Sequence, residues 1–128
     1  MSDPRFGLGP IGQILIPVSD VEAATAWYHD VLGIRYLFSF PVMAFLDAAG
    51  VRLYLARPTE PGFDGRATVY FRVPDIGAAV AALAGRGVVF SGPPHMIFDD
   101  GSAQTWMCFS KDPDGNNIAL MSEVPSGR

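Results

Sequence analysis

The densest run of potential ligand atoms in the chain is KDPDGNNIALMSE, residues 111–123. Counted from Asp112, oxygen donors fall at the first, third and fifth places (Asp112, Asp114, Asn116), and Glu123 falls at the twelfth. That is most of the spacing by which an EF-hand loop holds calcium. The sixth place, which such a loop gives to glycine, is Asn117, and the glycine comes fourth, as Gly115. The flanks WMCFS and IALMS read as strands, where an EF-hand needs helices. DPDG instead has proline at the second and glycine at the fourth place of a type I turn. The stretch is read as a hairpin bend, not a calcium loop.

Other chemistry-bearing residues are few. His29, in WYHD, sits beside an apolar helical stripe, where a solvated side chain is expected. His95, in SGPPHMIFDDG, follows a stiff diproline and is expected in a loop leading from the sixth strand, a place where binding groups collect. His95 and Tyr54 are the candidates for acid/base chemistry. Cys108 lies between Met107 and Phe109 and reads as a buried, inert thiol; as the single cysteine it rules out an internal disulfide. GLGPIG (7–12) precedes a strand rather than opening a helix, so it is not a phosphate loop. No elbow motif frames a nucleophilic serine.

Composition narrows the classes further. The 128 residues suffice for one domain with a real core. They are 49% hydrophobic and 17% charged, with a net charge of −4 and no basic run, which argues against nucleic-acid or anionic-membrane partners. No apolar run approaches the roughly 20 residues of a membrane span, and MSDPRFGLGP lacks a signal-peptide layout. A cytoplasmic protein is expected.

The elements that must position these groups come twice. QILIPVSD (13–20) reads as a buried strand closed by an aspartate helix cap, followed by a helical stripe from Val21 that Gly33 ends. IRYLFSF, VMAFLDA and VRLYLAR then read as three strands. After the Pro/Gly-rich connector 58–66 the pattern restarts. TVYFRVPD (68–75) is a strand with an aspartate cap, Ile76 to Leu83 a helical stripe, and VVFSG, TWMCFS and NIALMS three strands. Asp20 and Asp75 each lie seven residues beyond the strand opener, which equates Gln13 with Thr68. Gly50 and Gly115 each lie four residues before a last-strand position, which equates Tyr54 with Ala119. The expected organisation is one α+β domain over 1–128, with βαβββ modules at about 11–57 and 67–123 forming a curved mixed sheet around a cleft.

QILIPVSDVEAATAWYHDVLG resembles the opening strand and helix of the vicinal oxygen chelate superfamily, and KDPDGNNIALMSE resembles its closing hairpin. This group includes glyoxalase I, bleomycin-resistance proteins, extradiol dioxygenases and methylmalonyl-CoA epimerase. With the repeat, the resemblance runs from about Ile11 to Glu123, and it implies the glyoxalase/bleomycin-resistance-like fold. It also implies a divalent metal, such as Zn, Ni or Fe, held by the first and last strand of each module, and a homodimer whose clefts lie between module halves of two chains. The corresponding positions are Gln13, Tyr54, Thr68 and Ala119. Only Gln13 keeps a residue type of the glyoxalase-like enzymes. A phenol, a hydroxyl and a methyl replace glutamate or histidine at the other three, and neutral oxygens hold a transition dication poorly.

Strand alternation places Arg52 beside Tyr54, and Tyr70 and Arg72 beside Thr68; Asn117 and Met121 join Ala119. With His95 and Trp106, this face is expected to bind an aromatic or amphipathic small molecule, an arginine meeting any carboxylate. The leading expectation is a small-molecule-binding protein of the bleomycin-resistance type without metal or other cofactor. The second is a glyoxalase-like lyase, isomerase or epimerase, using either an altered ligand set or metal-free acid/base chemistry.

Overall fold

The computed structural model describes residues 7–59 and 65–126. The middle of the connector 58–66 lies outside them. The first module runs β1 (Gln13–Pro17), α1 (Val21–Ala26), β2 (Arg35–Phe40), β3 (Met43–Ala48) and β4 (Val51–Ala56). The second runs β5 (Thr68–Arg72), α2 (Ile76–Gly85), β6 (His95–Asp99), β7 (Ala103–Lys111) and β8 (Asn117–Pro125). Each forms a four-stranded sheet, β1-β4-β3-β2 and β5-β8-β7-β6, in which the first pair is parallel and the rest antiparallel. The expected α+β fold of two tandem βαβββ modules is what the chain adopts.

The aspartate caps act as the sequence implies. Asp20 and Asp75 accept from the backbone N–H of Ala23 and Ala78, three residues on, at 3.0 Å in both cases. The first helix does not stay α-helical. Residues Trp27–Val31 form a π turn, and Leu32 N–H reaches back to Trp27 O at 3.2 Å.

The sixth strand lies elsewhere than the apolar run VVFSG suggests. That run contributes one bridge, Phe90 to Ser110, and the strand itself is His95–Asp99. Two local causes are visible. Pro93 and Pro94 interrupt the extension, and Asp100 nucleates a tight hairpin by accepting from Ser102 N–H and Ala103 N–H at 2.8 Å each. His95 is thereby on a strand, not in a loop, a correction to the sequence expectation.

One core serves both sheets. Ile16, Leu53 and Leu55 of the first sheet, Ala24 and Tyr28 of the first helical segment, and Ile118 of β8 are buried together, with Val69 and Phe71 of β5 packed against them. In strands, residues of opposite parity face opposite ways. The faces carrying Gln13 and Tyr54, and Thr68 and Ala119, therefore both turn away from this shared core.

The closing hairpin joins the modules. Gly115, at φ +88°, donates to Asp112 O at 3.0 Å, which closes the turn read from DPDG. The buried Asp112 carboxylate accepts four hydrogen bonds: from Asp114 N–H (2.9 Å), Asn116 N–H (2.8 Å), Asn116 Nδ2 (2.9 Å) and Tyr28 Oη (2.7 Å). Fully buried Asn116 also donates to Pro17 O and accepts from Ala67 N–H, while Asp114 accepts from Ser19 N–H. The oxygens that imitate calcium ligands are bonded to the protein itself.

Asp112→Ala strands several buried donors at once and is expected to lower the unfolding free energy by about 3–5 kcal/mol; Tyr28→Phe removes one bond and should cost about 1–3 kcal/mol, both by urea denaturation. Burial, with the bond to Asp112, raises the Tyr28 phenol pKa above its ordinary value. A pKa raised in the folded state contributes stability that is present below the unfolded value, about 10, and is lost as pH rises above it. The wild-type protein should lose stability above about pH 10 more steeply than Tyr28→Phe does.

Candidate functional site

The two outward faces are built on the same plan. In the first sheet Tyr54 of β4 lies between Leu15 of β1 and Phe45 of β3; in the second, Ala119 of β8 lies between Tyr70 of β5 and Phe109 of β7. The register thus equates Tyr54 with Ala119, as the sequence repeat does. Gln13 and Thr68 likewise both open the first strand of their sheets, opposite Arg52 and Asn117.

The first face is an aromatic ladder. Phe45 stacks on Tyr54 with centroids 5.0 Å apart and planes 8° apart, and Phe38 of β2 continues the row 4.9 Å from Phe45. The Arg52 guanidinium lies over Phe45 and Phe38, 5.3 and 5.7 Å from their centroids. Cation–π contact of this kind holds a charged group flat against the sheet rather than loose in water. Phe38 and Phe40 remain more than 40% exposed.

The second face closes over its smallest member. Ala119 is fully buried, and the rings of Tyr70 and Phe109 on the flanking strands meet edge to face at 6.1 Å. Below them runs a polar row: Lys111 Nζ donates to Asn117 Oδ1 at 2.8 Å, and Asn117 Nδ2 donates to Thr68 Oγ1 at 3.0 Å. Thr68, Tyr70, Phe109, Lys111 and Asn117 line a large cavity among the described residues, about 860 Å³, together with the segment 87–91 and Trp27. A volume of this size suits a drug-sized molecule. The π turn accounts for Trp27. It sends Tyr28 into the core onto Asp112, while the adjacent indole, 5.2 Å from the Tyr28 ring, reaches the cavity.

The sequence candidates separate accordingly. Thr68, Tyr70 and Ala119 share one face; Gln13, Arg52 and Tyr54 share the other; neither Gln13 nor Tyr54 contributes to the large cavity. His95 pairs with Met107 and so belongs to the Ala119 face; it is exposed, its Nδ1 3.4 Å from Pro93 O. Trp106 turns the other way. It donates from Nε1 to Gln104 at 3.1 Å and lines a separate cavity beside the start of α2, which removes it from the face where the sequence reading places it. Arg72 shares the Thr68 face by parity and lines a groove at the junction of the modules. His29 is exposed and donates from Nδ1 to Ile34 O at 2.8 Å. Cys108 is buried, its thiol 3.2 Å from Gly92 O, and burial raises its pKa, which keeps it protonated and unreactive. Trp27, Phe90, Phe109 and Lys111 are among the lining residues that sequence reasoning missed. Lys111 was within reach, because it shares strand parity with Phe109.

Comparison with known proteins agrees with this geometry. The family model described as "Glyoxalase/Bleomycin resistance protein/Dioxygenase superfamily" matches residues 10–120, and the chain belongs to that family. Among solved structures, the chain is similar to TnmS3, an antibiotic-binding protein from Streptomyces sp. CB03234 (26% identity, TM-score 0.75, covering 95% of this chain and 100% of that one). It is similar also to a superfamily member from Sphaerobacter thermophilus (27% identity, TM-score 0.68, coverage 90% and 98%). A lactoylglutathione lyase from Agrobacterium tumefaciens shares the fold at 16% identity (TM-score 0.73, coverage 91% and 95%). No curated protein sequence matches the chain.

The packing over Ala119 generates a prediction. Placing a carboxylate there, as Ala119→Glu, forces Tyr70 and Phe109 apart and buries an unpaired charge. The variant should be less stable than wild type by about 2 kcal/mol or more in denaturant titrations.

Proposed function

We propose that this protein binds an aromatic or amphipathic small molecule without a metal of the family type. Its cleft forms between the Gln13/Tyr54 face of one chain and the Thr68/Ala119 face of a second copy. The observation that carries the reading is the pair of aromatic-lined outward faces: Phe38, Phe45 and Tyr54 on one, Tyr70 and Phe109 on the other. Ring surfaces of this kind stack on planar ligands and gain about 0.5–1.5 kcal/mol per pair beyond area burial. The similarity to an antibiotic-binding protein supports the same class of ligand.

The donor set speaks against the family's metal. Gln13, Tyr54, Thr68 and Ala119 offer an amide, a phenol, a hydroxyl and a methyl, and a dication needs carboxylate, imidazole or thiolate ligands to replace its water. The methyl of Ala119 lies beneath the rings of Tyr70 and Phe109 and offers no donor of its own. Dimerisation is supported by the apolar side chains left outside on β2 and β6. Phe40, Val42 and Phe98 are each more than half exposed, and Tyr36, Met96 and Ile97 are each more than 40% exposed. A self-complementary two-fold contact would cover them.

The test combines elemental analysis, light scattering and thermal melts. The expected result is a dimer that carries no stoichiometric metal and does not shift with Ni²⁺, Zn²⁺, Mn²⁺ or Fe²⁺, but melts several degrees higher with a saturating aromatic ligand, through preferential binding to the native state. A tightly held stoichiometric metal would instead favour the glyoxalase-like lyase reading.

A further inference from the structure

We propose that the ligand taken by the large cavity carries an anionic group on its aromatic body, and that Lys111 is the residue that selects it. The inference rests on the ligand-binding reading above and adds the charge class of the ligand.

The cavity divides by chemistry. Trp27, Tyr70, Phe90 and Phe109 supply ring surface. Lys111, Asn117 and Thr68 supply a polar row that crosses three adjacent strands at one end. Within that row Asn117 Oδ1 takes one proton of the ammonium, and two remain. Among the described residues no carboxylate lies within 4 Å of Lys111, and the ion pair present there is Arg35–Asp47 at 3.8 Å. Asp112 follows Lys111 in the chain and lines the same cavity, but its oxygens are filled by Tyr28, Asn116 and the backbone N–H groups of 114 and 116. Asn117 is itself anchored to Thr68, so the lysine is held on the cavity side of the sheet. An ammonium fixed beside aromatic walls, with donors to spare, complements a carboxylate, sulfonate or phosphate on a planar body. The chain's net charge of −4 exerts no general pull on anions, so any preference for one must arise locally.

A matched pair of probes tests this. Anilinonaphthalene sulfonate and its uncharged parent, N-phenyl-naphthylamine, share one ring system and differ by the anion. Their affinities are measured by fluorescence titration of the full chain and of Lys111→Met and Lys111→Arg. Lys111 is exposed, and equal melting temperatures establish that the variants fold. The expected result is that the sulfonate binds wild type about tenfold or more tightly than the parent. Lys111→Met should abolish that ratio between the two affinities, Lys111→Arg should keep it, and added salt should weaken the sulfonate alone. Equal affinities in wild type, or an advantage that survives in Lys111→Met, would overturn the charge assignment while leaving the aromatic cavity standing. Failure of both probes to bind would overturn the ligand-binding reading and this inference with it.

Discussion

The arrangement of this protein depends on one buried carboxylate. Asp112 gathers four hydrogen bonds and, through Asn116 and Tyr28, ties the last hairpin to the end of β1, the start of β5 and the π turn after α1. Burying a charge is costly unless it is fully hydrogen-bonded, and here every bond also fixes a position. The network sets the two sheets against one core. Their Gln13 and Thr68 faces are directed outward as a consequence.

That constraint shapes the site. The positions that the register equates, Tyr54 and Ala119, carry different chemistry on the two sheets. On the second sheet the Ala119 methyl lets Tyr70 and Phe109 meet above it. On the equivalent position of the other sheet, Tyr54 extends a row of rings crossed by Arg52. Both positions therefore lie within aromatic surface. Lys111 is conspicuous on the Ala119 face, since the neighbouring Asp112 carboxylate is committed to Tyr28, Asn116 and backbone N–H groups.

Much of this was legible in the sequence because it rests on local rules. The aspartate caps, the turn glycines and the strand parity place Gln13, Tyr54, Thr68 and Ala119 at equivalent points of two modules, and the strand register equates the same positions. What stayed hidden depends on contacts distant in sequence. Asp112 pairs with Tyr28 across 84 positions, so the turn's second role as a staple has no local signature. The sixth strand was misplaced because VVFSG has strand composition, whereas the tight turn at Asp100 gives the pairing to His95–Asp99. Trp106 was assigned to the binding face from its residue type; its parity, shared with Cys108 and Ser110, was the better guide.

The central claim is that a complete cleft needs one face from each of two chains. Mixing two defective variants tests it most directly. In the proposed two-chain cleft the Tyr54 face of one copy covers the Tyr70-lined cavity of the other. Tyr54→Arg and Tyr70→Arg should therefore each alone lose anilinonaphthalene sulfonate binding. After co-refolding, a mixed dimer holds one cleft with both faces intact, and binding should reappear. If each cleft lies within a single chain, no mixture contains an intact one, and the absence of recovery in a demonstrated mixed dimer would contradict the account.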